Sequence, residues 1–197
     1  MKKYDYKIID NVFVYGLDKA IIASGYPMAD KVNPCKVSTR VITKGDIKRA
    51  KHLGNAPIGS GHDCYLKGII VQFDLTLTKQ AWSEAQRYHF LDFVSSMSTM
   101  HMLSKMYVQF ISYTDPRMIN LFLDIVQEYN KNPTEENWRR MIYSCPSGIL
   151  LTARMTTNYL QLKTIYAQRK GHRLPEWKAV CDWIESLPKV KELGVIK

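Results

Sequence analysis

This chain of 197 residues has little that could act as a covalent or metal staple. It holds four cysteines, Cys35, Cys64, Cys145 and Cys181, and no two of them form a C-x-x-C pair. A zinc ribbon or a thioredoxin-type redox site therefore has no support. The zinc-deaminase signature is missing as well, because Pro34-Cys35 has no second cysteine nearby. Four free, buried thiols in a reducing compartment is the default reading, and no metal site is expected. No apolar run approaches the roughly 18–20 residues of a membrane span. The basic start, Met1 to Lys7, is followed only by short apolar pieces. No signal peptide is expected, and the protein is expected in the cytoplasm. Neither G-x-G-x-x-G nor G-x-x-x-x-G-K-[ST] occurs, which argues against a Rossmann dehydrogenase or a P-loop enzyme. The basic-aromatic strand of an RNA-recognition module is also lacking.

What is present is ordinary for a folded protein: 46% hydrophobic and 23% charged residues. One domain over residues 1–197 is expected, since a chain of this size can bury about 70% of its unfolded surface without a staple. The charge is uneven. The net value is +10, with 11 basic and 5 acidic residues in 1–51, 9 and 4 in 154–197, and 8 and 9 in the stretch between. Such a surplus suits an anionic partner, whether a nucleotide, a nucleic acid or an anionic membrane, and it equally suits simple solubility.

The pattern predicts an α+β fold. Residues 7–15 and 65–77 read as strands. The second is the clearer, with Val71, Phe73, Leu75 and Leu77 alternating with Gln72, Asp74 and Thr76. Short helices are expected over 18–23 and 46–51. Thr78 is expected to cap a helix from about Ala81, in which Trp82, Ala85, His89 and Phe93 recur at helical spacing. The hydroxyl-rich run from Ser95 to Thr99 should loosen it. Further helices are predicted over 117–129, from Thr134 to about Tyr143, from about Leu151 to Lys170, and from Pro175 to Pro188.

Three clusters could carry chemistry. Arg87 and His89, followed by Ser95, Ser96 and Ser98, put cations beside a hydroxyl-rich break that could hold a phosphate. An amphipathic helix with a satisfied histidine is the alternative. Arg154, Asn158, Gln161, Arg169, His172 and Arg173 form a face of amides and guanidinium groups. Such groups read planar hydrogen-bonding ligands, and a plain basic helix is the alternative. His62-Asp63-Cys64 precedes the alternating strand. Neighbours in sequence are poorly placed to serve as nucleophile and base, so cysteine chemistry is not expected.

Taken in order, these residues resemble the flavin-dependent thymidylate synthases. That family has a histidine before a long strand, then R-H-R-x-x-S-x-N-E-x-S-x-R, then N-A-R-x-L-x-x-F-L-x-L-R, and last a histidine and A-Q-W-E. Here His62 precedes the strand, His89 lies 27 residues on, and Ser98 falls on the last motif serine. Asn158 and Arg169 keep the eleven-residue spacing, and His172, Glu176 and Trp177 resemble the family's closing histidine and A-Q-W-E. The run Val14 to Ser24 is similar to the family's opening strand and helix. Several motif positions depart from it: Tyr88 and Phe90 replace the flanking arginines, Phe93 the first serine, Ser95-Ser96 the Asn-Glu pair and Met100 the last arginine. Arg87 or His101 could substitute for the lost cations.

The resemblance implies a homotetramer with sites built between subunits. It also implies reductive methylation of dUMP, with FAD as cofactor and with NADPH and methylenetetrahydrofolate as co-substrates. It places Arg87, Ser96, Ser98, Arg154 and Arg169 on the pyrimidine nucleotide, with Ser98 and Arg169 catalytic, and it places His62, His89, Asn158 and His172 on the flavin. A nucleotide-binding protein that has lost methyl transfer is the alternative on the same fold. A nucleic-acid-binding protein using the basic termini is a third reading, disfavoured by the near-neutral middle of the chain.

Overall fold

The computed structural model describes residues 6–29, 39–57, 59–105 and 107–196. Its centre is an antiparallel sheet of four strands in the order β1-β2-β4-β3, formed by β1 (Ile9–Tyr15), β2 (Ile70–Thr78), β3 (Asp92–Ser96) and β4 (Leu150–Asn158). The alternation in β2 does what its period requires: Val71, Phe73, Leu75 and Leu77 are buried, while the residues between them are half-exposed. β4 lies beside it in register from Ile70↔Asn158 to Thr78↔Leu150 and buries Ala153, Met155 and Thr157 on the same face. Against that face pack α3 (Lys79–Ala85), α7 (Tyr159–Arg169) and α8 (Pro175–Ser186), through Trp82, Leu162, Ile165, Trp177, Val180 and Ile184.

The helix pair α1 (Leu17–Ala23) and α2 (Lys44–Gly54) packs beside the same core. Gly16 turns the chain from β1 into α1 at φ 74°, where a Cβ would sit 2.5 Å from the Gly68 carbonyl oxygen. Thr43 and Asp46 form a capping box on α2. Burial alone would raise the Asp46 carboxyl, but hydrogen bonds from Thr43, Arg49 and Arg40 win and hold it well below the usual carboxylate range. A second apolar cluster, with Leu103, Phe122, Val126, Met141 and Ile149, gathers the 3-10 turn that follows the short α4 (Thr99–Met102) and the hairpin of α5 (Pro116–Lys131) and α6 (Glu135–Tyr143). Leu151 touches both clusters.

The α+β class and the helices at 116–131, 135–143 and 175–186 agree with the sequence reading, and Thr78 and Thr134 cap their helices as expected. Three expectations fail. The helix predicted through Phe93 ends at Ala85, and residues 92–96 form the edge strand β3. Trp82 and Phe93 mimic helical spacing because their rings meet across the helix–strand junction, 5.0 Å apart. The helix predicted from Leu151 begins only at Tyr159, because Leu150–Asn158 is a strand. Its β-branched Thr152, Thr156 and Thr157 suit a pleated ladder, and nine paired residues override a short apolar period. The strand predicted from Tyr65 starts at Ile70, after a 3-10 turn over Cys64–Gly68 that buries Leu66.

Of the cysteines, Cys145 and Cys181 are buried and free, whereas Cys64 is exposed, against expectation. Cys35 lies outside the described residues, as does most of the segment read as loop after residue 30. No helix among the described residues is long and apolar enough to cross a membrane.

Candidate functional site

Asn158 ends β4 and caps α7, its side-chain oxygen accepting from the Gln161 N–H at 2.9 Å. That cap sets the phase of α7. Gln161, Thr164 and Gln168 recur three and seven residues apart and form a polar stripe, while Leu162, Ile165 and Tyr166 enter the core. The stripe faces the turn after α3. Arg87, Tyr88 and His89 from that turn, with Gln161, Thr164, Gln168 and Arg169 from α7, line a cavity of about 540 Å³.

The two arginines of this cavity are held differently. Arg169 is buried. Its Nε donates to the Tyr88 hydroxyl at 2.7 Å, its Nη1 to Glu84 Oε2 at 2.6 Å, and its guanidinium lies 4.4 Å over the Trp177 ring. The same Glu84 oxygen accepts from Trp177 Nε1 at 2.9 Å and sits 3.2 Å from His172 Nε2. Burial raises the Tyr88 hydroxyl pKa against the opposing pull of Arg169, so Tyr88 stays a neutral phenol. Arg87 and His89 are exposed, and their side chains make no hydrogen bond or ion pair with any other described residue. Glu84 balances the charge of Arg169, so the free positive charge of the cavity comes from Arg87. A polar cleft with one unbalanced guanidinium and two amides suits an anionic ligand carrying a hydrogen-bonding ring.

The structure thus brings Arg87, His89 and Arg169 to one cavity. His172 stands behind the cavity in the Glu84 network, and Asn158 holds the start of α7. The remaining candidates lie elsewhere. Arg154 projects from the other face of the sheet, where its Nη1 donates to Asp74 at 3.1 Å and to the Asn11 carbonyl at 2.7 Å. Ser96 ends the edge strand and Ser98 precedes α4, both exposed. His62 lines a separate cavity of about 680 Å³ between α1, α2 and the turn at Cys64. Ala85 and His89 do not share a helix face, since His89 lies beyond the end of α3.

Glu84, Tyr88, Thr164 and Gln168 were missed by sequence reasoning. The stripe at 161, 164 and 168 was readable once α7 is known to begin at Tyr159. Glu84 had no signal beyond being an acid on a helix. Cys145 and Cys181 are unsuited to act as nucleophiles, since burial pushes their thiols up to about 11 and leaves them protonated at neutral pH. Among the described residues no group of three or more His, Cys, Asp or Glu could hold a metal ion.

The architecture is similar to that of solved flavin-dependent thymidylate synthases. A structure of the flavin-dependent thymidylate synthase ThyX from Helicobacter pylori, complexed with FAD and dUMP, matches with a TM-score of 0.73 at 15% identity, over 96% of this chain and 98% of that one. A second ThyX structure from Helicobacter pylori with FAD and dUMP gives 0.70 at 15% identity, over 94% and 97%. A UMP/dUMP methylase, PolB from Streptomyces cacaoi bound with 5-Br dUMP, gives 0.62 at 12% identity, over 94% of each chain. No protein-family model and no curated protein matches the sequence. The likeness is therefore one of fold, and it runs nearly the whole length of both partners.

Proposed function

We propose that this chain binds a deoxyuridine nucleotide in the cavity between Arg87 and Arg169, holds FAD beside it, and methylates dUMP reductively with methylenetetrahydrofolate and NADPH. One observation carries the reading: on a fold shared with proteins solved with FAD and dUMP, Arg87, His89 and Arg169 line one cavity. The donor chemistry fits both groups. Arg87 is free to neutralise a phosphate, Gln161 and Gln168 offer donors and acceptors to a pyrimidine or flavin edge, and Arg169 is a fixed cation behind them. FAD, when bound, supplies the hydride relay between NADPH and the transferred carbon.

The work of the chain is positioning and electrostatics. Arg87 anchors the phosphate, His89 meets the flavin, and Arg169 stabilises negative charge developing on the pyrimidine ring. The Glu84 network prevents Arg169 from reorienting, and His172 and Asn158 support it from behind. On a single protomer His62, Arg154, Ser96 and Ser98 stand away from this cavity. A homotetramer would bring the His62 side and the Ser96–Ser98 segment of one protomer to the cavity of another, with the whole chain 1–197 folding as one unit.

The test is the visible absorption spectrum after incubation with FAD and desalting, and then titration with dUMP. A retained flavin band and saturable dUMP binding are expected. A colourless protein that ignores dUMP overturns the reading. A second reading, a nucleotide binder that has lost methyl transfer, is favoured by Tyr88. That residue replaces a motif arginine and uses its hydroxyl to bond Arg169 instead of a ligand. Saturable dUMP binding by a colourless protein would establish that reading.

A further inference from the structure

A cavity of about 520 Å³ opens where α3 and α8 both begin, and it shares no lining residue with the nucleotide cavity. Glu176 lines it and is 1% exposed. Its Oε1 accepts from the Thr78 hydroxyl at 2.7 Å, while its Oε2 is buried without any partner. A buried carboxylate oxygen with no donor is costly, and the start of α8 offsets only part of that cost through its dipole. Glu176 lines the cavity, so an N–H or O–H donor seated there would supply the missing partner.

The other charged residue on the lining is Arg173, which is exposed and forms no ion pair with a described residue. The walls thus carry one negative and one positive group, with Ile111, Leu174 and Pro175 as apolar surface and Gln80, Tyr113 and Ser147 as polar surface. A metal ion would need several oxygen ligands, and only one carboxylate is present. A simple organic cation would be repelled by Arg173. A zwitterion with an apolar body satisfies both charges.

We propose that this cavity binds a free α-amino acid with an apolar side chain. Its ammonium group donates to Glu176 Oε2, its carboxylate accepts from Arg173, and its side chain lies on Ile111 and Leu174. The site stands independently of the nucleotide reading.

The test is calorimetric titration of the full chain with L-phenylalanine and L-leucine. N-acetyl-L-phenylalanine, which lacks the ammonium, and L-phenylalaninamide, which lacks the carboxylate, serve as comparators. At least one free amino acid is expected to bind. N-acetylation and Glu176→Gln should each lower affinity by about tenfold or more, the loss expected of a charge-assisted hydrogen bond. The glutamine keeps an oxygen for Thr78. Arg173→Ala is at an exposed position and leaves folding intact, and it and the amide should each weaken binding several-fold. Binding of neither amino acid, equal binding of the acetylated form, or affinity unchanged by Arg173→Ala would each overturn the proposal.

Discussion

The two walls of the proposed nucleotide cavity are built in opposite ways. On one side, α7 is tied at three levels. Asn158 caps its start, Lys163 donates from its back to Asp63 and to the Gly54 carbonyl, both at 2.7 Å, and Arg169 at its end is caged by Glu84, Tyr88 and Trp177. On the other side, the turn carrying Arg87 and His89 leads into an edge strand whose five residues are all exposed. Apart from its ladder with β4, that wall is held by the buried Tyr88 and Leu91, by the Thr157 hydroxyl donating to the Phe90 carbonyl at 2.6 Å and by Phe93 on Trp82. A rigid wall supplies geometry, and an exposed wall supplies side chains free to meet a charged ligand. A cation can serve either purpose, and its hydrogen-bond partners show which.

The sharpest way to break this contrast is to remove Glu84. Glu84→Ala leaves the guanidinium of Arg169 without its counterion and takes the acceptor from Trp177 Nε1, in a site where the Arg169 side chain is only 10% exposed. Breaking a buried pair from one side costs about 3–5 kcal/mol, and urea unfolding should show a loss of that size. A loss below about 1 kcal/mol, the range of an exposed pair, would mean that the α7 wall is no more fixed than the other. The same logic makes Arg169→Ala a poor probe of ligand binding, because it unbalances Glu84 as well as removing a contact. A smaller effect is expected at the start of the helix. Asn158→Ala should cost about 1 kcal/mol through the lost cap. If unfolding is unchanged, Asn158 is held for a ligand rather than for α7.

Legibility in the sequence divided along the same line. Arg169 and Asn158 could be found because α7 imposes a period, and eleven residues is close to three turns. The paired strand β4 could not, since Met155 extends the helical spacing of Tyr159, Leu162 and Ile165 backwards and the ladder with β2 that decides the matter is formed 80 residues away in sequence, as at Asp74↔Arg154. That one misreading put Arg154 on the wrong face of the fold. The exposed wall was harder still. An edge strand has no buried face to set an alternation, so residues 92–96 borrowed their apparent period from Trp82 and Phe93. Glu84 was invisible for a different reason: its partners Arg169, His172 and Trp177 come from 85 or more residues further along the chain.

The exposed wall yields the smallest stability effect and the cleanest functional one. The Arg87 side chain has no partner among the described residues to lose, so Arg87→Ala should change unfolding by no more than about 0.5 kcal/mol, the usual range for such surface positions. Its guanidinium is nonetheless the one on the cavity lining that no carboxylate balances. A charge-assisted contact to phosphate supplies about 1.5–3 kcal/mol, so dUMP affinity should fall by about tenfold to a hundredfold. The exposure of Arg87 gives a second check. Added salt screens exposed charges, so affinity of the native protein should decline as ionic strength rises, and the variant should respond less steeply. Affinity that falls together with stability would make Arg87 part of the scaffold and erase the contrast between the walls. Affinity that does not fall at all would move the phosphate away from this turn.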